Sequence, residues 1–300
     1  MIAFTVIGGY LGAGKTTLLN HFLTQSSGRR FGVLINDFGA INIDAELIAS
    51  RGETTITLTN GCICCSLADG FLNAVDQLLA LETPPEHIVV EASGVAEVNQ
   101  LAQYGHLPGL FLDGVLVVVD VETLLEKVND RYVGQTVRRQ INSADLVILN
   151  KVDLIDPSVL KACFEWLKQA HPKVRVVSSV RCELPLPVLA GQPMHERRSE
   201  FLFPEHAHYT SWNHVLNDPV TREQLEFFAE GLDATVIRAK GTSGGPSGSG
   251  LQLQVVGRRV QITSMNNVGL GTRLVAIGLA GQIDTRSLDA LAAQSFGGAR

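Results

Sequence analysis

The sequence predicts an open α/β sheet of mostly parallel strands, followed by a smaller α+β domain. Three observations predict it. Seven short β-rich apolar runs, IAFTVI, FGVLIN, TTITL, HIVVE, VLVVVD, LVILN and VRVVS, alternate with helix-period segments as far as about residue 180. A stretch of proline and charge, ELPLPVLAGQPMHERRSEFLFP, then interrupts the periodicity between Glu183 and Pro204. Beyond it the chain reads as a helix from Thr221 to Gly231 and four strand-like runs, ATVIRAK, LQLQVV, RRVQITS and TRLVAIG. These features place the first domain at residues 1–183, a linker at 184–204 and the second domain at 205–300.

The elements follow from their spacing. The strand candidates of the first domain are continuous apolar runs, as strands covered on both faces require. KTTLLNHFLTQ and SLADGFLNAVDQLLALE carry apolar residues at i, i+3, i+4 and i+7, which marks crossover helices. In the second domain the tract GTSGGPSGSG reads as a flexible loop between strands. With 300 residues, 45% of them hydrophobic and 18% charged, the chain has material for a sizeable core. The formal net charge of -6 argues against nucleic acid and anionic membrane as partners, because neither offers a surface for excess carboxylates. The first residues, MIAFTVIGGY, lack a signal-peptide pattern, and no apolar run reaches spanning length, so a cytoplasmic protein is expected.

Between the first strand and the first helix lies Gly9-Tyr-Leu-Gly12-Ala13-Gly14-Lys15-Thr16-Thr17, a full G-x-x-x-x-G-K-T match in strand-to-helix context. Its glycines let backbone N–H groups fold inward around phosphate oxygens, and the helix N-terminus adds a favourable field. Lys15 is expected at the β and γ phosphates, and the Thr16 hydroxyl on Mg²⁺. This is the phosphate loop of a P-loop NTPase. The run IVVEASG ends a strand in Glu91 with Gly94 just beyond, where such an enzyme wants an acidic residue near Mg²⁺ and a glycine beside the γ-phosphate. Asp120, after VLVVV, is read as structural.

The strand LVIL runs into Asn150-Lys151-Val152-Asp153, an N-K-x-D box at the edge of the sheet where ligands bind. A carboxylate at Asp153 can accept from guanine N1–H and N2–H₂ together, a donor pair adenine lacks. GTP is the expected nucleotide.

Of five cysteines, Cys62, Cys64 and Cys65 cluster after the run TTITL, while Cys163 and Cys182 stand apart and read as buried small hydrophobes. On an extended strand Cys62 and Cys64 share a face and Cys65 does not, so three converging sulfurs need a turn, which Asn60-Gly61 can supply. Three thiolates suit a soft or borderline ion such as Zn²⁺ and leave a coordination position open. A redox dithiol and three packed thiols are the other readings of the same residues. His206 and His208 could pair on a metal or lie on the surface, and His21 fits helix packing.

Together these motifs resemble the family of P-loop GTPase metallochaperones that includes CobW, UreG and HypB, in its CobW-like branch. The resemblance rests on GGYLGAGKTTLLN, INDFGAINID, NGCICCSL, VVEASGVAE and NKVDL, with VIRAKG in the second domain, and it covers nearly the whole chain. It implies GTP hydrolysis coupled to delivery of a transition metal, Zn²⁺ or Co²⁺, to a client metalloprotein or cofactor-synthesis enzyme, and it is compatible with a homodimer. It also implies that INDFGAINID senses the γ-phosphate; within that segment Asp37 is the first candidate for the base that acts on the attacking water. Two departures stand out. Asp37 and Ala40 replace the glutamates of the usual N-E-F-G-E, and the histidine-rich run of many members shrinks to EHAH. From the residues alone, a P-loop small-molecule kinase and a nucleotide-binding metal or redox sensor remain as rival readings.

Overall fold

The chain divides into two compact units, Met1–Leu189 and Ala190–Arg300. The computed structural model describes residues 1–25, 30–37, 54–59, 66–190, 209–246, 248–257, 259–266 and 268–297, with backbone alone for 36, 37, 54–59 and 66–69.

The first unit runs β1 (Ile2–Gly9), α1 (Lys15–Thr24), β2 (Phe31–Asp37), β3 (Thr54–Thr59), α2 (Ser66–Leu79), β4 (His87–Glu91) and α3 (Val98–Gln103). It continues through β5 (Leu110–Asp120), α4 (Leu124–Lys127), α5 (Gly134–Ser143), β6 (Leu146–Asn150), α6 (Pro157–Ala170), β7 (Arg175–Ser179) and α7 (Leu186–Leu189). The strands form one sheet in the order β3-β2-β4-β1-β5-β6-β7, and every recorded pairing is parallel. All seven apolar runs are therefore strands of one sheet.

Burial explains their composition. β4 and β6 are buried at every position, and helices cover both faces of the sheet's centre, so alternation has no place in them. One face packs Phe4, Val6, Val90, Val117 and Leu149 against α2, α3 and α5 through Phe71, Leu101, Val137 and Ile141. The other face receives α1, whose Leu18, Leu19, Phe22 and Leu23 are buried. There Phe22 meets Phe31 edge-on at 5.5 Å and His87 at 5.6 Å, and His87 shares a 2.8 Å hydrogen bond with Thr5. The chain moves from β1 toward β2 on one side of the sheet and from β5 toward β6 on the other. The crevice outside the carboxyl end of β1 is thus the topological switch point. After β7 the chain returns to α1: the Gln25 carboxamide donates to Leu184 O at 2.9 Å and accepts from Leu186 N at 2.9 Å.

The second unit contains β8 (Tyr209–Leu216), α8 (Arg222–Gly231), β9 (Val236–Gly244), β10 (Ser249–Val256), β11 (Arg259–Asn266), β12 (Gly271–Leu279) and α9 (Thr285–Phe296). Its sheet is antiparallel in the order β11-β10-β9-β12-β8. Leu225 and Phe228 of α8 and Leu288 and Phe296 of α9 pack on Trp212, Leu253, Leu274 and Ala276. A capping box of Thr221 and Gln224 starts α8 where the sequence places it.

Three features differ from the sequence reading. β8 and α9 are additional elements; in β8 only Trp212, packed against α8 and paired through its indole N–H with Asp289 at 2.8 Å, is fully buried, so the strand carries no continuous apolar run. The glycine- and serine-rich tract is mostly strand, since β9 extends to Gly244 and β10 starts at Ser249. Backbones approach so closely there that a Cβ on Gly241 would meet Arg273 O at 3.2 Å, and Ser243 Oγ bonds the main chain of Val220. Small residues mark tight pairing at this place.

Candidate functional site

Because the sheet is parallel, the last residues of its strands share one edge. The register aligns Glu91 with Ile7, Gly9 with Val118, Asp120 with Asn150, and Asn150 with Ser179. On the far side it aligns Asp37 with Thr59. Gly9, Asp37, Glu91, Asp120 and Asn150, strand-end residues singled out in the sequence, therefore lie on this edge.

Gly9, Gly12 and Gly14 all have positive φ, with Gly14 at 111° as the residue that caps α1. A Cβ on Gly14 would meet Asn150 Nδ2 at 2.6 Å and Cys182 Sγ at 3.0 Å, so both conformation and space demand glycine. No side chain caps the N-terminus of α1, which leaves its first N–H groups without a capping oxygen, an arrangement suited to an anion. Ala13 is buried, and Lys15, the first residue of α1, is only 9% exposed. The Thr16 hydroxyl donates to Glu91 Oε1 at 2.8 Å, and the Glu91 carboxylate is 3% exposed. Hydroxyl and carboxylate oxygens converging beside a phosphate loop are hard donors, and they fit Mg²⁺. Thr17 faces solvent on the next position of the helix.

Asn150 is the hub of the edge. Its amide donates to Ala13 O at 2.9 Å, while its carbonyl oxygen accepts from Cys182 N at 2.8 Å and from Ser179 Oγ at 3.2 Å. One side chain thereby joins the phosphate loop, β6 and the turn after β7. Lys151 follows in left-handed conformation, φ 67°, and its ammonium pairs with Asp120 Oδ2 at 2.6 Å. Asp120 thus has a partner that sequence inspection did not name, in keeping with its structural reading. Asp153 lies exposed in the single turn Val152–Leu154. Cys182 is fully buried; burial pushes its thiol up to about 12, so it stays protonated and donates to Gly14 O at 3.3 Å. Cys163 is likewise buried, as expected of a small hydrophobe.

Gly94 follows Glu91 in a turn closed by Ala96 N donating to Ser93 O at 3.0 Å. A Cβ on Gly94 would meet Leu11 N at 2.9 Å, so this turn lies directly against the phosphate loop. Gln140 of α5 donates to Gly94 O at 3.1 Å and to Ala96 O at 3.2 Å, a contact no motif announces. Asp37 ends β2, and its backbone lies on the carboxyl edge. Ala40, Cys62, Cys64, Cys65, His206 and His208 lie outside the described residues. His21 is half-buried on α1.

The nucleotide-binding-domain model of CobW/HypB/UreG matches residues 3–178, from β1 into β7. The chain belongs to the CobW/HypB/UreG family. It is a P-loop GTPase, and the loop, Glu91 and the N-K-x-D box all fall inside the matched span. A protein named zinc chaperone CobW from Sinorhizobium is 30% identical over 93% of this chain and 93% of its own length. A protein of the same name from Pseudomonas aeruginosa is 34% identical over 62% of this chain and 59% of its own. The zinc chaperone YjiA of Escherichia coli is 37% identical over 51% of this chain and 50% of its own. Relative to the kinase reading of the same loop, membership of a GTPase family decides for hydrolysis. Among the described residues no helix is long and apolar enough to cross a membrane.

Proposed function

We propose that this GTPase is a cytoplasmic metallochaperone that couples its nucleotide state to binding and release of zinc for a client metalloprotein or cofactor-synthesis enzyme. Lys15 and the loop amides bind the β and γ phosphates, Thr16 and Glu91 hold Mg²⁺, and Gly94 N–H meets the γ-phosphate. When bound, the Mg²⁺ neutralises charge on the phosphate oxygens. Water attacks phosphorus in line, the bond to the β-phosphate oxygen breaks, and Asp37 positions the water. Asp153 reads the guanine, while Asn150 and Lys151 shape its site. Cys62, Cys64 and Cys65 hold the zinc as cargo, with an open position through which a client ligand can enter.

One observation carries the coupling. β2 and β3 are adjacent and in register, Asp37 beside Thr59. In sequence, INDFGAINID begins with the last residues of β2, and NGCICC directly follows β3. A γ-phosphate that orders the first segment is placed to alter the second. Relatives named zinc chaperones over most of this chain support zinc as the cargo.

The coupling is reciprocal by linkage. A free energy of roughly 1 to 3 kcal/mol changes zinc affinity by about 5- to 150-fold between GTP and GDP states, and zinc changes GTP affinity by the same factor. Titrating Zn²⁺ into protein loaded with GDP or with a non-hydrolysable GTP analogue measures it. Cys64→Ala is expected to abolish the zinc effect while GTP binding survives, and Cys163→Ala to leave both intact. Equal zinc affinity in the two nucleotide states would leave a GTPase with no nucleotide-driven transfer.

The guanine assignment has its own test. Asp153→Asn is expected to move preference from GTP toward xanthosine triphosphate, because an amide can donate to the extra ring oxygen that a carboxylate repels. Competition assays with the parent and the variant read this directly; ATP competing as well as GTP for the parent would refute the assignment.

A further inference from the structure

The turn after β4 is gripped from α5. Gln140 is 3% exposed, and its single amide nitrogen donates to Gly94 O at 3.1 Å and to Ala96 O at 3.2 Å. Those carbonyls flank Val95 at the heart of the turn that Ala96 N closes onto Ser93 O. A neutral carboxamide is the suitable group here, because two carbonyl oxygens require two N–H bonds from one atom and a carboxylate supplies none. From the surface, Arg139 pairs with Glu97 at 3.0 Å, a half-exposed contact of small energetic weight. Gln140 also lines a small cavity with Tyr10 and Ala13 of the phosphate loop. Gln140 is therefore a neighbour of both the Gly94 turn and the phosphate loop.

We propose that Gln140 is a positioning residue for GTP hydrolysis: it fixes the Gly94–Ala96 turn against the phosphate loop so that Gly94 N–H is aimed at the γ-phosphate. This rests on the reading that Gly94 meets the γ-phosphate. The physical argument is one of constrained torsions. Ala96 N holds the Ser93 carbonyl, whose peptide carries Gly94 N–H, and Gln140 holds the Gly94 carbonyl, so the peptides on both sides of Gly94 are fixed and its N–H has little rotation, whereas an untethered glycine visits many conformations. Aim of this kind serves the state in which charge develops on the γ-phosphate, so it governs turnover more than ground-state binding. GDP has no γ-phosphate, and its affinity does not draw on Gln140.

Gln140→Glu keeps the shape and turns both attractions into repulsions. Gln140→Met keeps the length and removes the donors without adding charge. Both variants are expected to lose about ten- to a hundred-fold in kcat, the penalty for misplacing a reacting centre by about an ångström. GDP affinity and the GTP KM are expected to stay near parent values. Gly94→Ala is measured alongside, because its Cβ would meet Leu11 N at 2.9 Å, and its turnover is expected to collapse. If Gly94→Ala is impaired while both Gln140 variants turn over at the parent rate, the positioning role is overturned and the reading of Gly94 stands. If Gly94→Ala also keeps the parent rate, both fall. If the Gln140 variants lose GDP binding together with turnover, Gln140 is part of the scaffold and the proposal is overturned. A fall in kcat at constant GDP affinity in either variant upholds it.

Discussion

Lys15→Ala is expected to lower GTP turnover by at least about 10²- to 10³-fold while the apo fold persists, the usual loss when a preorganised charge at a developing anion is deleted. Lys15 opens α1 at only 9% exposure, directly after Gly14 at φ 111° in the phosphate loop. Alanine is the best helix former and suits the first turn of α1, which limits any cost to the helix itself. Thr16→Ala is expected to fall similarly, because the hydroxyl that donates to Glu91 Oε1 at 2.8 Å is one of two oxygen groups proposed to hold Mg²⁺. Thr16→Ser keeps the hydroxyl and is expected to restore most of the activity. Phosphate release under multiple turnover, with far-ultraviolet circular dichroism on the same samples, separates chemistry from folding. Parent-level turnover in Lys15→Ala would show that hydrolysis occurs elsewhere.

Asn150→Ala is expected to cost both stability and all nucleotide binding. The side chain is 3% exposed and makes three hydrogen bonds, to Ala13 O, Cys182 N and Ser179 Oγ. Its removal strands a carbonyl, an N–H and a hydroxyl in a site shut to water. At about 1 to 3 kcal/mol per stranded group, partly offset by local relaxation, the loss is on the order of 3 to 5 kcal/mol. The phosphate loop loses its tie to the N-K-x-D box, so GTP and GDP binding are weakened alike, unlike the loss confined to turnover expected at Gln140. Asn150→Asp is expected to be intermediate, because a carboxylate still accepts from Cys182 N and Ser179 Oγ but repels Ala13 O. Thermal unfolding with and without GDP, together with GDP affinity, tests this. An unchanged unfolding temperature and unchanged GDP affinity in Asn150→Ala would mean that the hub carries no load.

The two variants draw on different kinds of information. Lys15, Thr16, Glu91 and Gly94 were legible because a phosphate loop demands glycines, a cation and a hydroxyl at fixed short spacing, and a strand must end in the acidic residue. The apolar runs were legible because strands covered on both faces cannot alternate, as β4 and β6 show. Asn150 was legible as part of an N-K-x-D box, yet its bonds run to Ala13, Ser179 and Cys182. Cys182 was read as a buried thiol, which it is, without sign of its contact with Gly14. β8 was missed because one indole, Trp212, supplies most of its buried apolar character, and the Gly/Ser tract was taken for a loop because small residues serve both turns and close strand pairing.

By itself the sequence determined the seven strands and the first two helices of the first unit, the phosphate-loop pattern, the N-K-x-D box and the cysteine array, all encoded in residues close along the chain. Tertiary structure alone decided which strand ends share an edge, that Asn150 joins three segments, that Asp120 holds Lys151, and that Gln140 grips the turn of Gly94. The physical reason is that periodicity and motif chemistry act over a few residues. A buried carbonyl instead takes whichever donor the packing of distant elements brings within reach, and no local pattern records that donor.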